Sequence, residues 1–366
     1  MIKYLGSKRL LLPRIVRAAG AFGDVESVLD LFSGTSRVGH ALKREGFHVT
    51  ANDHLRYAAT LARCYVKADR SRVEKDARTI LAELHALPGK PGYFTQTFCE
   101  DARYFRPENG ARVDAMRNAI RKMDLEPTLE AVVLTSLMEA ADRVDSTTGV
   151  QMAYLKSWAA RALQPMELRM PDVLLGPGEA LELDALEAAG AVDADLVYLD
   201  PPYNQHSYMG NYHIWETLVR WDAPEAYGVA RKRVACREYA SPFNRKRAIR
   251  DAFQAVVEAT RAPNLLVSFN NEGYLDRATL EAILGERGHV GVVDVDFKRY
   301  VGAQIGIHNP KGERVGQVSH LRNKELLFVV APSVRTVERV VQAIGDEGTQ
   351  VQAARSVVAA VRSSDA

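Results

Sequence analysis

The sequence predicts an α/β protein: a mostly parallel twisted sheet, closed by an antiparallel C-terminal hairpin and interrupted by a helical insertion. Three observations carry this reading. Two strand–turn–helix units follow one another at 25–46 and 47–69, the pattern of a parallel sheet with right-handed crossovers. The later apolar runs at 195–200 and 264–270 do not alternate, as strands buried on both faces do not. Between them, residues 71–170 are rich in Ala, Glu and Arg at helical spacing.

Taken in order, 25-VESVLDLF-32 reads as a first strand, Ser33-Gly34-Thr35 as a turn, and 36-SRVGHALKREG-46 as a helix closed by Gly46. A second strand, 47-FHVTAND-53, ends in Asn52-Asp53 and leads into an alanine-rich helix to about Asp69. In the insertion, 111-ARVDAMRNAIRKM-123 and 128-TLEAVVLTSLMEAADRV-144 predict long helices. After the strand at 264–270 comes a helix, 275-LDRATLEAILGERG-288. Two long strands, 290–302 and 321–331, then flank the turn Asn309-Pro310-Lys311-Gly312. Residues past Pro332 are helix-prone and end in a polar tail that frays. The domain reading is 1–70 with 171–332 as the catalytic domain, 71–170 as the helical insertion, and 333–366 as a helical or frayed tail.

Composition bounds the function. A chain of 366 residues with 47% hydrophobic and 26% charged residues is ordinary for a folded soluble protein. It has no run of about eighteen apolar residues and no secretory h-region near its start, which makes the cytoplasm the expected compartment. Cys64, Cys99 and Cys236 form no CxxC, so reduced, structural thiols are expected. The net charge of +2 says nothing for nucleic acid, so any basic track must be local.

The first turn, 30-DLFSGTSRVG-39, lies where doubly wound folds bind adenosine-containing cofactors. It lacks G-x-G-x-x-G, which disfavours a dinucleotide and leaves a smaller cofactor without phosphates. Asp30 suits an ammonium group, and Asp53, at the end of the second strand, suits ribose hydroxyls. An ordinary turn glycine and a helix N-cap are the plain alternatives.

A different chemistry is suggested at Asp200-Pro201-Pro202-Tyr203, where two prolines stop a buried strand. An exocyclic amine of a nucleobase is a poor nucleophile, because its lone pair is delocalised into the ring. Acceptors around its two N–H groups correct this and stabilise the developing positive charge. Asp200 supplies a carboxylate, the Pro201 carbonyl is freed from the ladder, and Tyr203 offers a stacking face for a base taken out of its helix. A strand-ending turn with a packed tyrosine is the alternative.

In this order, Lys3-Tyr4-Leu5-Gly6-Ser7-Lys8, Asp30-Leu31-Phe32-Ser33-Gly34, Asn52-Asp53 and Asp200-Pro201-Pro202-Tyr203 resemble the motifs of S-adenosylmethionine-dependent DNA adenine-N6 methyltransferases whose cofactor motifs precede the catalytic one. The resemblance spans about residues 1–331 and implies a Rossmann-like methyltransferase fold. It implies S-adenosylmethionine as cofactor, with Tyr4 and Lys8 near its methionine end, Asp30, Phe32 and Gly34 forming its loop, and Asp53 on its ribose. Glu179, in 176-GPGEAL-181, is the candidate for its adenine. Asp200, Pro201, Pro202 and Tyr203 form the catalytic group. Ser36 stands where a second close glycine is common. Cytosine-N4 relatives more often carry serine in place of the leading aspartate, so adenine is favoured, with direct in-line transfer, no covalent intermediate and no metal.

The expected substrate is double-stranded DNA, in a restriction–modification or genome-marking system with a possible cognate endonuclease. An RNA or cytosine-N4 methyltransferase and a non-catalytic nucleic-acid-binding relative are the rivals. For phosphate contacts the run 231-RKRVACREYASPFNRKRAIR-250 offers Arg231, Lys232, Arg233, Arg245, Lys246 and Arg247, and a second track runs from Lys298 and Arg299 to Lys324. Base reading is expected first from the insertion, which contains Gln151, Tyr154, Lys156 and Trp158, though aromatics at that spacing more often belong to a core, and next from the basic segment 205–250. His206 and His213 read as polar or substrate-lining residues.

Overall fold

The computed structural model describes residues 1–298, 307–308, 314–316 and 322–345. Both predicted βα units form. Helix α1 (Leu12–Ala21) leads into β1 (Ser27–Asp30), α2 (Arg37–Arg44), β2 (His48–Asn52) and α3 (Arg56–Ala62), which ends in a π-turn, Arg63–Lys67. Three long helices then follow: α4 (Arg70–His85), α5 (Pro107–Met123) and α6 (Pro127–Arg143). Both α5 and α6 start on a proline, whose fixed φ suits a first turn that has no use for its missing N–H. Glu126 caps α6 by accepting the Thr128 and Leu129 N–H groups.

The chain continues through β3 (Glu179–Leu181), α7 (Ala185–Ala191), β4 (Leu196–Leu199), α8 (Tyr208–Asn211) and α9 (His213–Arg220). A small hairpin, β5 (Ala226–Tyr227) and β6 (Lys232–Arg233), precedes α10 (Ile249–Ala259). The last elements are β7 (Asn264–Asn270), α11 (Arg277–Gly285), β8 (His289–Lys298), β9 (Arg322–Ala331) and α12 (Val334–Ile344). The turn expected at 309–312 and the tail expected at 353–366 lie outside the described residues.

By its contacts the chain divides into two compact units. The first comprises Met1–Pro13, Glu26–Val192 and His206–Ser241. Its strands are parallel: β1 pairs with β2 from Ser27↔His48 to Asp30↔Ala51, and β2 with β3 from Thr50↔Glu179 to Asn52↔Leu181. A single core runs through this unit. It takes Tyr57 from α3, Phe94, Phe98, Leu134 and Leu137 from the helical region, and Trp215 from α9. The long helices therefore bury their apolar faces against the first βα units.

The second unit comprises Arg14–Val25, Asp193–Gln205 and Pro242–Ala366. Here β4 runs parallel to β7, from Leu196↔Asn264 to Leu199↔Val267, and all four β4 residues are buried, which is why the run shows no alternation. Strand β9 lies antiparallel to both β7 and β8. The absence of a side chain at Gly291 lets α12 come close, since a Cβ there would lie 2.6 Å from Val337 and Val341. Parallel strands joined by helices, with antiparallel C-terminal strands, make this the Rossmann-like methyltransferase class that the resemblance implies.

Candidate active site

In the first unit the carboxyl ends of β1 and β2 are tied together by two consecutive residues. The Asn52 carbonyl accepts the Ser33 N–H at 2.9 Å. Its side chain donates to Leu31 O and Leu183 O, both at 3.2 Å, and accepts the Leu183 N–H at 3.1 Å. Asp53 then clasps the loop: one carboxylate oxygen accepts the Gly34 N–H at 3.0 Å and the other the Leu55 N–H at 2.9 Å. Burial pushes the Asp53 carboxyl above the ordinary range and Glu216 adds to this, against the opposing pull of His54 and the two N–H groups. His54 stacks on Tyr239 at 5.0 Å, and its Nε2 is buried with no hydrogen-bond partner among the described residues.

The loop itself is left-handed at two positions. Gly34 has φ +51 and Ser36 φ 56, so the serine adopts the backbone conformation that a glycine adopts without strain. Asp30 is turned inward: it is 1% exposed and its Oδ2 accepts the Gly39 N–H at 2.9 Å, which fixes the start of α2. Phe32 is half-buried.

The N-terminal motif is fastened by aromatic rings that sequence reasoning missed. Tyr4 packs against both Tyr208 and Tyr212, with ring centroids at 5.1 and 4.7 Å and planes within 14°, and those two rings are themselves 6.4 Å apart, so the three form a cluster. The Tyr212 hydroxyl accepts the Leu5 N–H at 2.5 Å, and the Tyr57 hydroxyl donates to that of Tyr4 at 3.4 Å. Burial raises the Tyr4 and Tyr57 phenols well above their usual range. Tyr4 abuts Gly34 so closely that a Cβ there would lie 3.1 Å from Cε1 and Oη. Lys3 Nζ is held by Asp145 at 2.7 Å, and Lys8 is buried in a single 3₁₀ turn, Lys8–Leu10. The spacing Tyr208, Tyr212 is one helical turn, a signal the sequence did contain.

Glu179 opens β3, at the end away from this rim, where it is exposed and paired with Lys67 Nζ at 3.3 Å. Past the carboxyl end of β3 comes Asp184, the N-cap of α7, whose Oδ1 accepts the Leu186 N–H at 2.9 Å. Burial, with Asp184 and Asp53 adding to it, pushes the Tyr239 phenol up, so both acids bear on one ring. A further carboxylate, Glu216 of α9, is fully buried and accepts the Tyr57 N–H at 3.0 Å and Arg220 Nε at 2.6 Å, capping α3 directly after Asp53.

In the second unit Asp200 follows the last residue of β4 and is half-buried. The turn it opens is held from three sides. Tyr274 N–H donates to Tyr203 O at 2.9 Å, Asn244 Nδ2 to Asn204 O at 2.7 Å, and the Tyr274 hydroxyl to Gln205 Oε1 at 3.0 Å. The Tyr203 ring rests on Phe269 of β7, with centroids at 5.6 Å.

The basic residues divide. Arg233 is 6% exposed and chelated by Asp222, at 2.7 and 3.3 Å, and Arg231 is paired with Asp101. Lys232 Nζ contacts Met152 Sδ at 3.0 Å. Arg245, Lys246 and Arg247, in the second unit, are exposed. Of the second track, Lys324 pairs with Asp294 at 3.4 Å, while Arg299, Tyr300, Lys311 and His320 lie outside the described residues.

Gln151 is no base reader in this fold: it is 3% exposed and its Oε1 accepts the Ile214 N–H at 2.8 Å. His213 is likewise buried, Nε2 against Gln151 O at 3.0 Å, and burial lowers its pKa to about 3, which corrects the substrate-lining reading. Trp158 carries the Arg103 and Arg106 guanidiniums over its ring at 4.8 and 5.7 Å. The three cysteines are free. Among the described residues no cluster of metal ligands occurs and no helix is long and apolar enough to cross a membrane.

Comparison with known proteins converges with this geometry. The family model described as "D12 class N6 adenine-specific DNA methyltransferase" matches residues 4–278. The type II methyltransferase M.NlaIII of Neisseria lactamica is 28% identical over 338 residues, covering 88% of this chain and 99% of the relative. M.FokI of Planomicrobium okeanokoites is 30% identical over 310 residues, 78% of this chain and 47% of the relative. The modification methylase StsI of Streptococcus sanguinis is 29% identical over 312 residues, 80% and 48% respectively. The chain thus spans nearly all of the first relative and about half the length of the other two.

Proposed function

Since the chain belongs to the D12 class of N6 adenine-specific DNA methyltransferases, and so methylates adenine N6 in DNA, we propose that its methyl donor is S-adenosylmethionine, held at the rim of β1, β2 and β3. The residues present suit that donor. Gly34 offers bare backbone, Ser33 Oγ and His54 Nε2 are buried without partners among the described residues, and Asp53 brings a carboxylate. Asp53 would take the ribose hydroxyls and Tyr4, Lys8 and Phe32 would line the methionine end. Asp30, committed to Gly39, would act by shaping the loop. For the donor's adenine, Asp184 is better placed than Glu179, because it follows the carboxyl end of its strand as Asp53 does. When bound, the donor supplies an electrophilic methyl on a sulfonium.

Asp200 and the Pro201 carbonyl accept the two N–H groups of the target amine, which localises its lone pair on N6 and stabilises the charge that develops there. Tyr203 stacks on the flipped base, a contact of about 1–3 kcal/mol. The observation that carries this reading is the held turn: Tyr274 fixes the Tyr203 carbonyl and Phe269 backs its ring, so acceptors and stacking face are preorganised. Arg245, Lys246 and Arg247 supply phosphate contacts on double-stranded DNA. The names of the relatives, type II methyltransferases and a modification methylase, support a role in restriction–modification; a cytoplasmic location and a cognate endonuclease as partner belong to the same proposal.

The test is to incubate the protein with methyl-labelled S-adenosylmethionine and DNA, digest to nucleosides and identify the labelled one by mass. Label on N6-methyldeoxyadenosine is expected; label on N4-methyldeoxycytidine, or in RNA only, overturns the reading. Asp200→Ala should abolish transfer and keep donor binding, and Tyr203→Phe should retain more activity than Tyr203→Ala.

A further inference from the structure

Helix α2 presents Arg37, His40 and Arg44 along one face, and a cavity of about 510 Å³ lies against it. Arg143, at the end of α6, and Arg169 line the same cavity, so four guanidiniums meet there, and Arg9 is close enough to act on Arg37 electrostatically. Two acids are in the lining, and both are committed. Asp172 takes Arg44 Nη2 at 2.7 Å, and Glu139 accepts the Tyr65 hydroxyl. Two of the arginines are also engaged: Arg143 Nη2 donates to Glu167 O at 2.7 Å and Arg169 Nη2 to Glu167 Oε2 at 3.0 Å.

Arg37 differs from these. Its Nε is buried with no hydrogen-bond partner among the described residues, and burial followed by repulsion from Arg9 lowers its pKa against the opposing pull of Tyr65 and Glu139. A half-buried guanidinium with a buried, unpartnered Nε is unfavourable, and the natural relief is an anion. His40 adds no charge of its own, since burial lowers its pKa while its ring nitrogen meets Asp172 O at 2.7 Å.

We propose that this cavity is an oxyanion site for a phosphate group, with Arg37 as its principal ligand and Arg143 and Arg169 as flanking donors. Planar forks from several directions suit a phosphate with its several oxygens better than a single carboxylate. The volume falls in the range of small-ligand sites, which accommodates a phosphodiester with its flanking sugars as well as a free phosphate. The chemistry is the same for both sources, a DNA backbone phosphate or a small soluble one. All of these residues belong to the first unit, where Arg37 opens α2 directly after the loop that carries Gly34.

Two measurements on the full chain decide it. The first is the melting temperature in inorganic phosphate against chloride at matched ionic strength, for wild type, Arg37→Gln and the exposed Arg169→Gln. A saturable rise specific to phosphate in wild type, lost in Arg37→Gln and weakened in Arg169→Gln, is expected. The second is the salt dependence of duplex DNA binding. If the occupant is a DNA phosphate, Arg37→Gln lowers affinity several-fold and reduces the log–log salt slope by about one. If it is a free phosphate, DNA binding is unchanged while the thermal effect is lost. A wild type that responds equally to phosphate and chloride, with the same salt slope as both variants, overturns the proposal. Should Arg37→Gln fail to fold, Arg169→Gln, whose side chain is 63% exposed, carries the same comparison.

Discussion

Gly34→Ala strikes the proposed donor loop where it tolerates least. The left-handed backbone at φ +51 costs an L-residue about 1–2 kcal/mol. The new methyl would also lie 3.1 Å from Cε1 and Oη of Tyr4. Tyr4 has little room to move, because both Tyr208 and Tyr212 pack against it at 5.1 and 4.7 Å and its hydroxyl accepts from Tyr57, and overpacking against a fixed neighbour costs about 1–3 kcal/mol. The sum is about 2–5 kcal/mol, roughly 30-fold to a few thousand-fold in donor affinity if all of it falls on binding. Titration calorimetry with S-adenosylmethionine on wild type, Gly34→Ala, Tyr4→Ala and the double variant separates the parts. With the ring gone, the alanine penalty should shrink to its backbone share, leaving a coupling of about 1–3 kcal/mol. Additive single effects, or a Gly34→Ala protein within threefold of wild type and equally stable, would refute the reasoning.

Three further outcomes follow from particular contacts. Ser36→Gly should stabilise by about 1 kcal/mol, since it relieves a left-handed serine whose buried hydroxyl has no partner among the described residues, partly offset by glycine's freedom in the unfolded chain; a lower unfolding midpoint contradicts this. Burial, with Asp145 adding and Lys3 opposing, pushes the Asp142 carboxyl up to about 6. A raised acid contributes stability that is full below about pH 4 and is lost as pH rises through 6, so Asp142→Asn should flatten unfolding free energy across that window, and an unchanged slope would be fatal. Replacing Arg245, Lys246 and Arg247 together by Gln should reduce the salt slope of DNA binding with little effect on stability. Arg233→Gln should instead lower stability by removing a buried guanidinium's bonds to Asp222 and Thr217, and the reverse pattern would invalidate the division of the basic run.

Much of the scaffold was legible because its signals are local. An apolar run without alternation, such as 264–270, announced β7 at its true limits, and β4 ends at Leu199, just ahead of Asp200 and the two prolines. Ser36 takes the left-handed conformation of the glycine expected there, so the loop keeps its path despite the side chain. What stayed hidden depends on contacts distant in sequence. Charge alone cannot separate Arg233, turned onto Asp222, from Arg245 in solvent. Glu179 and Asp184 are five residues apart, and only the register of β3 tells which one follows the strand's carboxyl end. A strand of three residues carries too little periodicity to reveal that register. Gln151 could be counted among the insertion's candidates for base reading because its hydrogen-bonding partner, the Ile214 N–H, lies 63 residues further along the chain.

The division of the chain bears on how the protein is made. Neither unit is continuous: residues 193–205, with β4 and the proposed catalytic tetrapeptide, belong to the second unit, while the residues on either side belong to the first. During synthesis the first unit has all of its chain only once Ser241 has emerged. At that moment β4 is already out, but β7, with which it pairs from Leu196↔Asn264 onward, is not, nor is the Tyr274 that fastens the tetrapeptide. A nascent chain stopped near residue 241 therefore lacks the strand that pairs with β4 in the second unit and the residue that fastens the tetrapeptide. No single proteolytic cut yields either unit whole.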